Sequence, residues 1–524
     1  MWATHKMSKL RVMLVNPPVF QVNEPWYDTP DFVRTSIAYI AAYLREHMDC
    51  EIELIDSKFE RMGFPDTVSR IEAFKPDIIG YTAFTNEIKP AAKVATMLRE
   101  RGNVSPLHVI GGVHVTALPE VSAKEFPEFD VVVYGEGELT FLKLCQAFAA
   151  NEPWDNIDGL VYHDKAGEMV KTGPRERIVD INEIPLPAWD LLPSAPHYFI
   201  QSSRGCPFSC KFCMNPNGKF VRHRTPDNII EEIQNLAADH GATKITYGDE
   251  IFTVDMPWVK DLVRKKIEAG TQDIVGWTAT THVRFMDDEL AALMKQNNCV
   301  GVGLGIETGS EELLKKVGKG TTQEMMLRAR ECTRKAGLWV ETFAILGQID
   351  ETVDTLNDTI NLICELNPEL PIFGIMVPYP GTEVARLAAR GEGGYKIVST
   401  DWDDYNKQIG GALEFAGLTR SQVEFFQIYA YLKVYLYNRR YKDLVKFCWT
   451  YGRGGMAIVL KNLKFAFNTV LGRTEKNQRV CEPAQVIAIG EAMDDWEQWQ
   501  IAEQKRVKKA TRENEKAAAQ EATA

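Results

Sequence analysis

The first 150 residues alternate short β-branched runs with stretches of helical periodicity. Apolar runs occur at "RVMLVN", "EIELID", "DIIGYTAF", "LHVIGG" and "DVVVYG", with helical patterns such as "SIAYIAAYLREHM" between them. Five strands separated by helices predict an α/β fold with a doubly wound, Rossmann-like parallel sheet. Ligands of such sheets bind beyond the carboxyl ends of the strands. The loops there are "NPPVF", "TAFTNE", "GGVHVT" and "GEGE".

The alternation stops after residue 150 and then resumes. Residues 151–197 contain a hairpin-like pattern and the proline-rich "INEIPLPAWDLLPSAPHY". Six further strand patterns follow: "YFIQSS", "TKITYG", "IVGWTA", "VGVGLGI", "WVETFAIL" and "IFGIMV". Six units are too few for a closed eight-fold barrel, so we predict a partial (β/α)6 barrel with its chemistry on the carboxyl-end loops.

Aromatic helical patterns dominate the C-terminal part, in "SQVEFFQIYAYLKVYLYNRRYKDLVKFCWTYG" and "GMAIVLKNLKFAFNTVLG". They predict a small helical domain packed on the barrel; a substrate-facing or membrane-surface role is the alternative. The last stretch is polar and predicts a frayed helix or a disordered tail. The predicted segments are a Rossmann-like domain (8–150), a hairpin and linker (151–197), a barrel (198–390), a helical domain (391–500) and a tail (501–524).

Composition narrows the class of protein. The 524 residues are 45% hydrophobic and 25% charged, as in ordinary globular proteins, and the net charge of -12 argues against a general nucleic-acid binder. We find no secretory signal and no apolar window long enough to span a bilayer. Seven of the ten cysteines are scattered singly, as reduced core thiols usually are. These features predict a cytoplasmic protein.

The other three cysteines, Cys206, Cys210 and Cys213, lie together in "SSRGCPFSCKFCMNPNG" after the first barrel strand. A C-x3-C-x2-C spacing brings three thiolates around one centre, and a cubane iron–sulfur cluster held this way has one iron without a protein ligand. A structural zinc site with His223 as fourth ligand, or three unconnected core cysteines, are the alternatives. The position of the loop at a barrel mouth favours the cluster.

This spacing, with the aromatic Phe212 before the third cysteine, resembles the signature of the radical S-adenosylmethionine (SAM) superfamily. In that family the open iron binds SAM, and an electron from the cluster cleaves it to a 5′-deoxyadenosyl radical. The motifs "YGDEIF", "GLGIETGS", "FAILGQIDET" and "MVPYPGTEVA" resemble the family's accessory motifs. The resemblance implies cofactor contacts on the SAM side at Phe212, Gly248, Asp249, Glu250, Glu307 and Gly347.

The N-terminal domain resembles the cobalamin (B12)-binding domain fused to many radical SAM enzymes, through "TSIAYIAAYLRE", "PDIIGYTAFT", "GGVHVTALPE" and "VVVYGEGELTF". A generic nucleotide site, or no ligand, is the alternative. The D-x-H-x-x-G motif that ligates cobalt through histidine is absent, so His114 is expected to make a loop contact only. The implied cobalamin contacts are Thr82, Thr85, Gly111, Gly112, His114, Val115, Thr116, Gly135, Glu136 and Gly137.

The resemblance implies an enzyme that methylates an unactivated carbon with a [4Fe-4S] cluster, SAM and cobalamin. One alternative is a cyclase or oxidase of the anaerobic magnesium-protoporphyrin monomethyl ester cyclase type, and another is a cobalamin or iron–sulfur sensor without turnover. The expected substrate is a small molecule, lipid, tetrapyrrole or peptide. The expected electron donor is a flavodoxin or ferredoxin, and no nucleic acid or membrane-spanning segment is expected.

Overall fold

The computed structural model describes residues 9–18, 31–407, 411–450, 486, 489, 498–511 and 513. Its strands are β1 (Leu10–Asn16), β2 (Cys50–Asp56), β3 (Ile78–Thr82), β4 (Leu107–Gly111), β5 (Val131–Val133), β6 (Leu160–His163), β7 (Met169–Lys171), β8 (His197–Ile200), β9 (Ser203–Arg204), β10 (Arg222–His223), β11 (Lys244–Tyr247), β12 (Gly276–Thr281), β13 (Cys299–Glu307), β14 (Trp339–Leu346), β15 (Leu370–Ile375), β16 (Tyr395–Ile397) and β17 (Leu413–Phe415). Its helices are α1 (Thr35–His47), α2 (Phe64–Phe74), α3 (Ile88–Arg101), α4 (Val113–Ala117), α5 (Pro119–Glu125), α6 (Gly137–Ala150), α7 (Pro226–Asp239), α8 (Met256–Glu268), α9 (Asp288–Gln296), α10 (Glu311–Val317), α11 (Gln323–Lys335), α12 (Val353–Leu366), α13 (Glu383–Arg390) and α14 (Arg420–Tyr437). Residues 441–450 and 498–511 are also helical.

The first sheet has the strand order β2-β1-β3-β4-β5-β6-β7. Its first five strands are parallel, and helices cover both faces, so consecutive residues of β1 such as Val12 and Met13 are both fully buried. The predicted doubly wound sheet is therefore confirmed. The hairpin of β6 and β7 extends the same sheet as two antiparallel strands. The carboxyl ends of β3, β4 and β5 lie side by side and bring their loops to one edge.

The second sheet consists of the six parallel strands β8, β11, β12, β13, β14 and β15, hydrogen-bonded in that order. This confirms the predicted partial barrel. Most helices that follow its strands begin at a side-chain cap, for example Asp255 for α8 and Thr352 for α12. The caps fix the residue at which each strand-to-helix loop ends and its helix begins. The cysteine loop is the connection between β8 and α7.

The C-terminal region is helical but also contains a small sheet. Helix α14 packs on the barrel through Gln427, whose amide donates to the carbonyl of Phe373 at 2.7 Å. The antiparallel pair of β16 and β17 was not predicted, because each strand has only three residues. Helix 498–511 includes the start of the predicted tail and contacts the linker, where Glu503 accepts from the backbone N–H of Arg177 at 2.7 Å. The segment "GMAIVLKNLKFAFNTVLG" lies outside the described residues.

Within the described residues, no helix has both the length and the apolar character that crossing a bilayer requires.

Candidate functional site

The cysteine loop is held at both ends by hydrogen bonds. At its start, the carboxylate of Asp249 accepts from the backbone N–H groups of Ser202 and Ser203, both at 2.8 Å, and from the Ser202 hydroxyl. At its end, the backbone N–H of Cys206 donates to the carbonyl of Gly218 at 3.0 Å. Gly205, with φ of 113°, has to be glycine because a Cβ there would lie 2.2 Å from the carbonyl oxygen of Phe220.

The middle of the loop rests on the barrel. The backbone N–H of Lys211 donates to the carbonyl of Val317 at the end of α10, and the Lys211 carbonyl accepts from Val384 in α13. The ring of Phe212 packs into the small core around α13. This packing fixes the orientation of the loop at Phe212. These contacts fix the backbone on both sides of Cys210 and Cys213.

Protein surrounds much of each of the three thiols, although none of these cysteines is fully buried. Burial raises the pKa of Cys206 above its ordinary value and that of Cys210 to about 11. Cys213 touches solvent, but protein surrounds it on most sides, and this desolvation raises its pKa to about 12. Thiols of this kind stay protonated at neutral pH unless a cationic metal centre stabilises the thiolate. The donor set therefore suits a metal cluster better than a free reactive cysteine.

The zinc alternative requires a fourth ligand that the structure does not bring to the loop. His223 lies on β10, paired with Ser203, and its ring stacks on Trp258 with centroids 4.7 Å apart. Among the described residues, no three His, Cys, Asp or Glu side chains have the geometry to hold one metal ion. A single zinc ion holds its thiolates about 2.3 Å away. A cubane attaches its cysteines to separate iron atoms, so a cluster does not require the three thiols to converge on one metal position.

The two acidic residues after β11 have different surroundings. Asp249 is buried, its carboxylate is saturated by the cysteine loop, and burial raises its pKa to about 7. One oxygen of Glu250 accepts from the side chain of Asn217 at 2.8 Å. The other, Oε2, is buried without a hydrogen-bond partner in the described part of the chain. Glu250 is thus the residue of this pair with an acceptor to offer a ligand, while Asp249 holds the loop.

Glu307 ends β13 in the left-handed region, with φ of 63°. Its carboxylate forms a buried ion pair with Lys319, whose Nζ is 2.6 Å from Oε1 and also donates to the carbonyl of Gly305 at 2.8 Å. A non-glycine residue held in this conformation is characteristic of functional sites. Sequence reasoning missed Lys319, because it follows Glu307 by twelve residues and belongs to no motif.

Gly347, at the end of β14, is covered by the C-terminal region. Its carbonyl accepts from the hydroxyl of Tyr395 at 3.1 Å, and a Cβ there would lie 2.5 Å from the ring of Phe415. Its N–H donates to Glu351, which also accepts from the N–H of Gln348 at 2.9 Å. Burial raises the pKa of Glu351 to about 7, and its Oε1 has no partner in the described residues.

A cavity of about 600 Å3 lies between the two sheets. Loops from the carboxyl ends of β3, β4 and β5 line one side, and the barrel mouth with Pro216 and Asn217 of the cysteine loop lines the other. The predicted contacts that line it are Thr82, Gly111, Gly112, Thr116, Gly135, Glu136, Gly137 and Gly248. Thr85, His114 and Val115 are not among the lining residues.

Two of the cavity's glycines leave room for a ligand. A Cβ on Gly111 would have no neighbouring protein atom closer than 3.7 Å, and one on Gly135 none closer than 4.0 Å. The hydroxyl of Thr116 accepts from the N–H of Gly135 at 3.1 Å and fixes this loop. The glycines thus form a cradle in which this part of the cavity wall carries no side chain, which suits a large flat ring lying against the backbone.

His114 lies away from this cradle. Helix α4 turns Val113 and Thr116 toward the cavity and buries His114 against Trp402, with ring centroids 4.7 Å apart. Burial lowers the pKa of His114 to about 3. No histidine is among the described residues that line the cavity, so none is positioned there to ligate a cobalt ion.

The glutamates of the "GEGE" loop form ion pairs with arginines of the barrel domain. Glu136 pairs with Arg222 at 2.5 Å and lies 3.7 Å from Arg204, and Glu138 pairs with Arg204 at 2.6 Å. Burial alone would raise the pKa of Glu136, but Arg222 and Arg204 outweigh it and hold the pKa below its ordinary value. Sequence reasoning missed both arginines, although Arg204 stands two residues before Cys206. This interdomain ion cluster joins the first domain to the cysteine loop.

Two family models match the chain. The radical SAM superfamily matches residues 200–363, and the B12 binding domain matches residues 29–144. The first range contains the cysteine loop and extends from the last residue of β8 into α12. The second contains all the predicted cobalamin contacts.

Individual relatives match over most of the chain. A protein named as an uncharacterized methyltransferase from Pyrococcus horikoshii is 32% identical, over 84% of this chain and 95% of its own length. The anaerobic magnesium-protoporphyrin IX monomethyl ester cyclase of Rubrivivax gelatinosus is 28% identical, over 71% of this chain and 68% of its own. The structure of the radical SAM methyltransferase TsrM from Kitasatospora setae, with cobalamin and a [4Fe-4S] cluster, has a TM-score of 0.62 at 19% identity, covering 77% of this chain and 79% of that one. This last likeness supports the fold.

The interdomain ion cluster predicts a large cost for removing one charge. Glu136→Ala would leave Arg204 short of a partner and Arg222 buried without its carboxylate, so we expect the free energy of unfolding to fall by about 3–5 kcal/mol. Glu120→Ala is the matched control, since Glu120 pairs with Lys171 on the surface and should cost about 0–1 kcal/mol. Denaturant unfolding measures both, and equal losses would contradict the prediction.

Glu351 predicts a pH-dependent stability. Its pKa is raised from 4.5 to about 7 in the folded chain, so its contribution is complete below pH 4.5 and is lost as the pH rises through 7. Glu351→Gln keeps an acceptor for the two N–H groups and removes the charge. We expect this variant to be more stable than the parent at pH 8 by on the order of 2 kcal/mol, with the gap closing toward pH 5. A gap that stays constant over this range in denaturant unfolding would refute this.

Proposed function

Because this chain belongs to the B12-binding enzymes of the radical SAM superfamily, we propose that it methylates an unactivated carbon of a small-molecule substrate. The observation that carries this proposal is the shared cavity, which has the cobalamin-domain loops on one side and Pro216 and Asn217 of the cysteine loop on the other, although none of the three cysteines is among its lining residues. When bound, the cluster and SAM supply the radical that abstracts hydrogen, and cobalamin supplies the methyl group. A substrate in this cavity lies between the two.

The chain's own residues divide the work of holding these groups. Cys206, Cys210 and Cys213 would hold the cluster, and the missing fourth protein ligand leaves one iron for SAM. The unpartnered Oε2 of Glu250 supports a role as acceptor for the SAM ammonium group, because a buried carboxylate oxygen gains most from a charged donor. Glu307 and Lys319 present an ion pair beside the same loop. Gly248 lines the cavity without a side chain, whereas Gly347 is covered by Tyr395 and Phe415.

The cradle of Gly111, Gly112, Gly135 and Gly137, with Thr82 and Thr116, would hold cobalamin through backbone and hydroxyl contacts. With no histidine lining the cavity in the described part of the chain, no histidine there would be positioned to ligate the cobalt. Glu136 and Glu138, in the same loop as Gly135 and Gly137, hold the two domains together through their ion pairs.

The cavity wall favours an apolar or planar substrate. Its aromatic members come from both domains and include Phe32, Tyr39, Phe84, Phe141 and Phe199. Such rings bury large apolar area and exclude water from the reacting carbon. Lipids and tetrapyrroles fit this wall better than polar peptides do. We propose a flavodoxin or ferredoxin as the electron donor and the cytoplasm as the location.

The role of Glu250 can be tested by SAM binding. Glu250→Gln removes the charge but keeps the bond to Asn217, so we expect the Kd for SAM of the reconstituted protein to rise about tenfold or more. Glu231→Gln, a change at an exposed position of α7, should leave the Kd unchanged. Iron content should be equal in all three proteins. An unaltered Kd in Glu250→Gln would assign the SAM ammonium to another acceptor.

The reaction type can be tested with SAM that carries a deuterated methyl group. A methylase transfers the label to carbon in the product, whereas a cyclase of the type found in Rubrivivax gelatinosus leaves the product unlabelled. The anaerobically reconstituted chain is incubated with reductant and an extract of cells that lack the protein, and new species are found by mass spectrometry. Unlabelled ring-closed product would support the cyclase. Absence of SAM cleavage would support a sensor, and Cys210→Ala is the inactive control.

A further inference from the structure

An exposed aromatic and aliphatic surface marks the junction between α14 and helix 441–450. Tyr441, Val445 and Trp449 follow one another at intervals of four residues, so they share one face of this helix. They are 59%, 67% and 91% exposed, and Leu436 and Tyr437 before them are 52% and 67% exposed. We call these five residues the aromatic face. Single exposed apolar residues are ordinary, but five so close together along the chain, three of them on one helix face, indicate an interaction surface.

Positive charges border this face. Arg439, Lys442 and Lys446 are all exposed, and the two lysines form no ion pair within the described part of the chain. The surrounding sequence is equally one-sided: residues 439–479 contain ten Lys and Arg against two acidic residues, a net charge of +8 in a chain whose total is -12. Such a segment is attracted to an anionic surface that the rest of the protein repels.

We propose that the aromatic face and its basic border dock the enzyme on an anionic lipid surface. Tyrosine and tryptophan prefer the boundary between headgroups and acyl chains, because each ring has an apolar body and a polar edge. An apolar stripe flanked by lysines on a short helix is the pattern of helices that lie in the plane of a membrane. Protein interfaces, in contrast, are depleted in lysine.

The test is flotation of the full-length protein with vesicles of phosphatidylcholine alone or mixed with phosphatidylglycerol. We expect binding to the mixed vesicles, weakening as salt is raised. Lys442→Gln combined with Lys446→Gln should reduce the affinity about tenfold or more. Lys165→Gln combined with Lys396→Gln, which removes two exposed lysines elsewhere, should not reduce it. All these side chains are exposed, so unfolding midpoints should match the parent's.

Contact of the face with lipid is measured separately. Brominated phospholipids should quench part of the tryptophan fluorescence, and this part should disappear in Trp449→Phe. Absence of binding, equal binding to neutral vesicles, or indifference to the Lys442 and Lys446 changes would overturn the proposal. So would self-association that Trp449→Ala abolishes without any vesicle binding, because the face would then join two copies of the chain.

Discussion

The buried ion cluster of Glu136, Glu138, Arg204 and Arg222 is the interaction on which the arrangement of the site depends. It joins a loop of the first domain to the barrel immediately before the cysteine loop. Charges removed from water need their partners in a fixed geometry. Sliding of the two domains past each other would therefore separate a buried pair, which opposes such movement.

The cysteine loop is likewise held in place by a few specific hydrogen bonds. Asp249 holds its start, the carbonyl of Gly218 holds Cys206, and Lys211 ties its middle to α10 and α13. Some polar groups that the family resemblance assigns to ligand binding, such as Asp249, are already occupied by these contacts. Those with spare hydrogen-bonding capacity, such as Glu250, remain for ligands. Chemistry that depends on sub-ångström placement of reacting atoms needs both kinds of residue.

The C-terminal region links the site to the surface. Phe415 and Tyr395 cover Gly347 at the barrel mouth, while α14 continues from the barrel to the exposed aromatic face. Helix 498–511 returns to the linker, where Arg177 also donates to the carbonyl of Pro216 in the cysteine loop. The C-terminal region thus covers Gly347 at the barrel mouth, supports the cysteine loop through the linker, and carries the aromatic face with its basic border.

The sequence alone determined the two parallel sheets and the cysteine loop, because hydrophobic periodicity and the spacing of three thiols are local properties of the chain. Tertiary structure decided which polar residues are free. Asp249 and Glu250 are neighbours with the same chemistry, yet one is saturated by a loop 46 residues away and the other keeps an open oxygen. Glu136 pairs with arginines 68 and 86 residues further along, and His114 packs against Trp402. Such pairings arise from contacts between distant segments, which no local pattern encodes.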